Sequence, residues 1–177
     1  MAYRADTDDP TANVPLMTAL GRLVVRAAEL DEDVGASLAR LCDRKTKKSL
    51  KRRSLYWKLS ALQSIAAQLK EADELFVALS DFCSQCLAKL KDRNSPVHST
   101  YLMDEELGII KWDPRHGPEV IQAEDIERDA AELKRFADKA VEYNIRVRQL
   151  RAFGVLKGEY VPVLPEHRRS CPDVAAP

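Results

Sequence analysis

The sequence is poor in the patterns that mark the common enzyme classes. It has six glycines in 177 residues, and they form no glycine-rich loop of the kind that holds nucleotide phosphates. It contains neither a His-Glu-x-x-His metalloprotease motif nor a Gly-x-Ser-x-Gly nucleophile elbow. These absences argue against P-loop nucleotide triphosphatases, zinc proteases and lipase-type hydrolases.

Long apolar runs are also missing. No run approaches the roughly 18 residues of a membrane span, and the first ten residues lack the apolar centre of a secretory signal. With 45% hydrophobic and 32% charged residues, the chain is typical of a globular domain that buries its own core. We therefore expect one cytoplasmic domain with no membrane partner.

Cysteine is scarce, and its spacing gives little support for a metal site. The four cysteines fit the reduced thiols of a cytoplasmic protein. Cys83 and Cys86 lie one helical turn apart, whereas Cys42 and Cys171 are isolated in the sequence. We expect the close pair to pack as small apolar side chains rather than to bind zinc, and we expect no metal and no cofactor.

Four stretches repeat apolar residues at alternating steps of three and four, which is the spacing of one face of an α-helix. They cover about residues 13–43, 53–69, 71–92 and 124–152. Four such helices favour a bundle. In the last stretch Asn144 occupies the apolar stripe, where a polar residue either fixes the register of neighbouring helices or bonds a nearby backbone group.

The helical period stops between the third and fourth stretches. Residues 98–103 and 107–112 are short runs rich in threonine, tyrosine, isoleucine and tryptophan, joined by acidic residues, and they predict a β-hairpin. Pro96 lacks a backbone N–H, so we expect it to end the third helix and to leave Arg93 and His98 on either side of a break. The predicted fold class is all-α, a four-helix bundle with a small β-hairpin inserted between the third and fourth long helices.

The predicted domain organisation has three parts. Residues 1–12 are acidic and polar, and we expect a flexible N-terminus. Residues 13–153 form the helical domain. Residues 154–177 are rich in proline and carry no helical stripe, so we expect a flexible C-terminal tail.

Arg93 and His98 are the best candidates for chemistry. An arginine can bind a phosphate through two parallel hydrogen bonds, and an imidazole can accept and donate protons near pH 7. RNA cleavage by its own 2′-hydroxyl needs these functions and no metal, and it leaves a 2′,3′-cyclic phosphate and a 5′-hydroxyl. Asn94 could orient the histidine or the ribose. In the structural alternative, Arg93 caps carbonyls at a helix end and His98 opens a strand.

The stretch Arg93-Asn94-Ser95-Pro96-Val97-His98, after a third long helix, resembles the Arg-polar-x-x-x-His motif of HEPN domains. The resemblance covers about residues 13–152 as an order of elements, and three residues carry over individually: Arg93, Asn94 and His98. It implies a metal-independent endoribonuclease with a catalytic Arg93–His98 pair. Many members are toxins or antiphage effectors, which implies an antitoxin or effector-complex protein as partner. Other members are catalytically silent, so a helical module that binds a protein, a nucleotide or RNA is the alternative.

A homodimer is a further expectation. In-line cleavage is best served by a base and an acid on opposite sides of the phosphate, and each chain supplies one plausible catalytic histidine, His98. A two-fold interface near Pro96 would bring two Arg93–His98 pairs into one cleft. The resemblance implies the same arrangement.

Residues 44–53 point to RNA as the substrate. The whole chain balances 28 basic against 28 acidic residues, yet this stretch holds seven cations and no acid. A local excess of positive charge of this kind can bind the phosphate backbone of RNA. The alternative is a solvated loop between two helices. The candidate RNA-binding residues are Arg44, Lys45, Lys47, Lys48, Lys51, Arg52 and Arg53.

Overall fold

The structure is a computed structural model that describes residues 14–98, 100–104, 108–113, 117–121 and 123–164. Side chains are described for residues 14–15, 17–90 and 123–164. These parts contain five α-helices: α1 (Val14–Leu41), α2 (Arg44–Ser49), α3 (Leu55–Leu69), α4 (Glu74–His98) and α5 (Ala123–Ala152). A 3-10 turn, Leu50–Arg52, follows α2. The described residues are mostly helical, so the all-α prediction is confirmed at that level.

The prediction of four helices is wrong by one, because the described residues also include α2. This helix has six residues and buries none of them, so it carries no apolar stripe that a periodicity could reveal. Its start is set by Asp43, whose side chain accepts hydrogen bonds from the backbone N–H groups of Lys45 and Thr46. The long helices α1, α3, α4 and α5 correspond to the four stretches predicted from the sequence.

An antiparallel sheet with the order β1-β2-β3 connects α4 to α5. Its strands are β1 (Thr100–Asp104), β2 (Gly108–Asp113) and β3 (Gly117–Ile121). Leu102 lies opposite Ile110, which in turn lies opposite Val120. The predicted two-stranded hairpin is therefore not the observed arrangement. The third strand begins Gly117-Pro118, a pair typical of turns, and an edge strand tolerates the proline because it needs no partner on its outer side.

Helices α1 and α5 run parallel to each other. Arg22 of α1 donates a hydrogen bond to Glu127 at 2.7 Å, and Arg40 donates to Asn144 at 2.5 Å. The two pairs have nearly the same sequence separation, 105 and 104 residues, so the helices advance together. Asn144 also donates to Asp33 at 3.1 Å. It therefore bonds two side chains of α1 and fixes the register, rather than facing a backbone group.

Helix α4 runs antiparallel to both α3 and α5. The Gln63 side chain of α3 donates to Ser84 of α4 at 2.6 Å. On the other side the Tyr143 hydroxyl donates to the Ala78 carbonyl at 3.2 Å, and Lys89 pairs with Glu132 at 3.4 Å. The apolar stripes of the long helices meet in one core, whose largest fully buried side chains include Phe76, Leu30, Leu38, Leu41, Leu59, Leu62 and Ile65.

An ion pair between a buried lysine and a partly exposed aspartate joins α3 to the middle of α1. The Lys58 ammonium lies 2.6 Å from Asp31, and only 8% of the Lys58 side chain is exposed. Gly35 lies beside it, and a Cβ there would make only an ordinary van der Waals contact with the Lys58 nitrogen, at 3.7 Å. Asp31 lies ten residues before the end of α1 at Leu41, and Lys58 lies three residues after the start of the parallel helix α3, so α3 starts about 20 Å back from the end of α1. Residues 44–53 span that distance.

The expected flexible tail is ordered in its first part. Tyr160 forms a parallel bridge with Cys42, and Leu156 is buried. Gln68 donates to the Val161 carbonyl at 3.1 Å, and Val163 N–H donates to Ser64 at 2.8 Å. These single hydrogen bonds hold an extended segment against α1 and α3, and such contacts leave no periodic pattern in a sequence. Residues 165–177 and the predicted N-terminus, 1–12, lie outside the described residues.

Across the described ranges, none of the helices combines the length and the apolar character needed to cross a membrane.

Candidate nucleic-acid interface

The cationic stretch of residues 44–53, called the basic segment below, is folded. Asp43 caps α2 through backbone N–H groups at 3.1 and 3.3 Å. The 3-10 turn ends at Arg52, and the N–H of the next residue, Arg53, donates to the Leu50 carbonyl at 3.1 Å. Leu50 is the buried residue that anchors the segment to the core. The hydrogen bonds to Asp43, of which the one from the Thr46 side chain has the largest effect, lower the pKa of this carboxyl. Asp43 is therefore negatively charged near neutral pH, and its charge interacts favourably with the positive end of the α2 dipole.

All seven cations of the basic segment are exposed. Within the described residues, none of them forms an ion pair, whereas other cations do, such as Arg22 with Glu127 and Lys134 with Asp138. Arg44, Lys47, Lys48 and Lys51 follow helical steps of three and four, so they form one stripe about 10 Å long. A polyanion could therefore meet several free positive charges on one side of a short helix.

Arg53 stacks on an aromatic ring where the basic segment joins α3. Its guanidinium carbon lies 4.6 Å from the centre of the Trp57 ring. The Ser54 hydroxyl caps α3 by accepting from the Trp57 N–H at 3.3 Å, which fixes the start of the helix. A stacked arginine keeps its charge and its planar hydrogen-bond donors. Binding sites for single-stranded nucleic acids combine such positive charges with aromatic rings.

The candidate catalytic residues Arg93, Asn94 and His98 all lie in the last turns of α4, which continues to His98. The predicted break at Pro96 is therefore wrong. Proline there removes a single hydrogen bond, to the carbonyl four residues earlier, close to the end of a helix that is already held by its packing. The side chains of residues 91–98 fall outside the described side chains, so their contacts stay predictions.

A continuous helix fixes how Arg93 and His98 are related. At about 100° per residue, positions five apart are separated by roughly 140° around the axis and about 7.5 Å along it. The two Cα atoms therefore lie on different sides of α4. This spacing does not by itself direct both side chains of one copy toward the same phosphate.

Arg93, near the end of α4, lies at about the same level along the bundle as the end of the basic segment. Gln63 contacts Ser84 between antiparallel helices, and both helices rise about 1.5 Å per residue. Nine residues before Gln63 is Ser54, and nine residues after Ser84 is Arg93. Arg93 is therefore level with the residue that directly follows the basic segment.

Cys83 and Cys86 are buried in the core, as predicted from their spacing. Burial raises the pKa of the Cys83 thiol well above its usual range and raises that of Cys86 to about 12, so both stay protonated near neutral pH. In the part of the chain that the structure describes, no three side chains from histidine, cysteine, aspartate and glutamate come together as a metal site.

The structure brings together one set of charged residues that the sequence does not reveal. Arg40, Arg148 and Arg151 meet Lys47 of the basic segment around a cavity at the ends of α1 and α5. Arg40 lies more than 100 residues before Arg148 and Arg151 in the sequence. None of the three interrupts the apolar pattern of its own helix. The parallel packing of α1 on α5 is the information that would have been needed to find them.

No family model, curated protein or solved structure matches this chain. The resemblance to HEPN domains therefore depends on Arg93, Asn94 and His98 and on the order of the helices. The function has to be argued from the residues themselves.

Proposed function

We propose that the protein binds single-stranded RNA through the basic segment and cleaves the bound strand at Arg93 and His98 without a metal. The observation that carries the proposal is the exposure of all seven cations of an ordered segment, with none of them ion-paired within the described residues. Exposed, unpaired cations release the counterions of a phosphate backbone when they bind it. The basic segment ends level with Arg93, so a bound strand would need to extend only a short way to reach the end of α4.

Cleavage would follow the chemistry expected from the sequence. His98 accepts the proton of the 2′-hydroxyl, the 2′-oxygen forms a bond to the phosphorus, and the bond from phosphorus to the 5′-oxygen breaks. The leaving 5′-oxygen takes a proton from an acid on the opposite side. Arg93 donates two hydrogen bonds to the phosphate oxygens, and these strengthen as negative charge accumulates in the transition state.

The helical spacing supports a dimer in this scheme. Arg93 and His98 of one copy lie on different sides of α4, so a cleft between two copies is a natural way to bring an arginine and two histidines to one phosphate. The silent helical module is the second candidate. It is favoured by the same spacing, because a helix that continues through His98 can keep both residues in local structural roles.

The dimer gives a direct mixing experiment. We expect light scattering to report twice the mass of the chain, 19.9 kDa, and we expect a mixture of His98→Ala and Arg93→Ala chains to recover part of the lost cleavage. A mixed pair holds one Arg93 and one His98, each from a different copy, so it regains the arginine and one of the two histidines. A monomer that cleaves RNA at full rate at nanomolar concentration would contradict the composite cleft.

Removing charge from the basic segment should weaken RNA binding and its dependence on salt. We expect the variant with Lys45, Lys48, Lys51 and Arg52 all changed to glutamine to lower the slope of log affinity against log salt by about 3. Each phosphate contact on a single strand contributes about 0.7 to that slope. The measurement is fluorescence anisotropy of an unstructured RNA between 50 and 200 mM salt, roughly the range in which such effects are large.

A control with the same change in charge is available on α5. Arg128, Lys134, Arg135 and Lys139 are exposed there, and Arg128 and Lys134 already pair with Asp125 and Asp138. Changing these four cations to glutamine should leave the slope nearly as it is. If both quadruple variants lose the same affinity, only the net charge matters and the basic segment is not the RNA-binding surface.

A further inference from the structure

A cavity of about 660 Å³ lies where the last turns of α1 and α5 meet α2 and the segment after α5. Four cations line it, Arg40, Lys47, Arg148 and Arg151, together with one carboxylate, Glu159. The Glu159 carboxylate accepts a hydrogen bond from the Arg44 backbone N–H at 3.3 Å. The cavity therefore carries a clear excess of positive charge.

The protein neutralises the positive charges of this cavity only in part, through Glu159. Among the residues that the structure describes, none of the four cations forms an ion pair. Like charges gathered in a concave surface repel one another and concentrate the positive potential inside it. An anion that entered the cavity would remove this repulsion and gain several charge-assisted hydrogen bonds.

Two of the arginines are held in place by neutral oxygen atoms. Arg40 donates to the Ala36 carbonyl at 2.9 Å and to Asn144 at 2.5 Å. Arg151 donates from Nε to the Arg40 carbonyl at 2.9 Å and from Nη1 to the Leu156 carbonyl at 3.3 Å. Neutral partners fix a guanidinium without cancelling its charge. In both arginines Nη2 makes no hydrogen bond within the described residues, so it can still donate to a ligand.

We propose that this cavity binds a small ligand through a phosphate monoester dianion. Arg40 and Arg151 would supply fixed donors, which lowers the entropy that binding costs, while the exposed Arg148 and Lys47 would close on the anion. The volume lies in the range of about 300–1,000 Å³ that small-molecule sites occupy. The small side chains Ala36 and Ala39, also in the lining, leave space for the part of the ligand that bears the phosphate.

The test is calorimetry on the full chain with glycerol 3-phosphate, glycerol and sodium sulfate at low ionic strength. We expect glycerol 3-phosphate to bind with one-to-one stoichiometry, sulfate to bind more weakly and glycerol to give no heat. The Arg148→Ala variant should weaken glycerol 3-phosphate binding by about tenfold or more, as expected for the loss of a charge-assisted hydrogen bond. The side chain of Arg148 makes no hydrogen bond within the described residues, so its loss should spare the fold.

Arg146 provides the matched control, because it is an exposed arginine of α5 two residues away that does not line the cavity. Arg146→Ala should bind glycerol 3-phosphate as the natural protein does. Absence of binding, or equal losses in the two variants, would overturn the proposal. So would an Arg148-dependent affinity for an RNA oligonucleotide alone, since the cavity would then belong to the path of the RNA.

The variant with Lys45, Lys48, Lys51 and Arg52 changed to glutamine keeps all four lining cations and should still bind glycerol 3-phosphate, which separates this proposal from RNA binding.

Discussion

Replacing either His98 or Arg93 by alanine is expected to lower the rate of RNA cleavage by about a hundredfold or more. In the proposed scheme His98 takes the proton of the 2′-hydroxyl, and Arg93 donates two charge-assisted hydrogen bonds to the crowded phosphorane, so each substitution removes one of these functions. The rate is measured on an RNA oligonucleotide in EDTA under single-turnover conditions. Mapping the ends should give 2′,3′-cyclic phosphate and 5′-hydroxyl products, and the natural protein should cleave equally well with and without the chelator.

Lys91→Ala is the control on the same helix, because it removes a cation near the end of α4 without changing the candidate pair. Its rate should stay within a few-fold of the natural rate, and circular dichroism should report the same helix content for all three variants. Full cleavage by both His98→Ala and Arg93→Ala would rule out the scheme. Loss of cleavage on adding EDTA would show that a metal takes part. If the natural protein leaves RNA intact but binds it, the silent module becomes the better description.

The second large effect concerns stability. Phe76, near the start of α4, is fully buried, and Phe76→Ala should reduce the free energy of unfolding by about 3–5 kcal/mol because it removes a ring and leaves a cavity. A loss of this size lowers the melting temperature of a chain of this length by roughly 10 °C or more. Urea denaturation followed by circular dichroism measures it.

The neighbouring residue is a matched control. Val77 lies beside Phe76 in the same helix but is 49% exposed, so Val77→Ala removes apolar atoms that already contact water. Its effect should stay below about 1 kcal/mol. Equal losses in the two variants would mean that α4 does not pack on the core through the face that contains Phe76, and the position of Arg93 derived from that packing would then fail.

The long helices could be predicted because the apolar residues that they bury recur at regular intervals in the local sequence. Burial on one face requires an apolar residue every three or four positions, as in the stripe through Leu23, Leu30 and Val34 of α1, and all three are buried. Helix α2 lacks this pattern, since it is held by the Asp43 cap and by the buried Leu50 next to it. A periodicity cannot report a helix that does not bury a face.

Two other features could not be predicted from the sequence, namely the continuation of α4 through Pro96 and the cavity. The reason differs from the one that applies to α2. A proline near the end of a long helix costs one hydrogen bond, and whether the helix continues depends on packing earlier in α4 that the local sequence at Pro96 does not contain. The cavity requires Arg40 and Arg151 to meet, which follows from the register that Asn144 sets between α1 and α5. In contrast, the exposed charge of the basic segment was expected from composition alone.

The parallel packing of α1 on α5 has a consequence for synthesis of the protein. The partners of α1 in α5 lie 104 and 105 residues farther along the chain. At about 5–20 residues per second, the ribosome needs roughly ten seconds to make the part of the chain between these helices. During that time the face of α1 that α5 will cover has no native partner, and the nascent chain has to keep it from other apolar surfaces until the last long helix emerges.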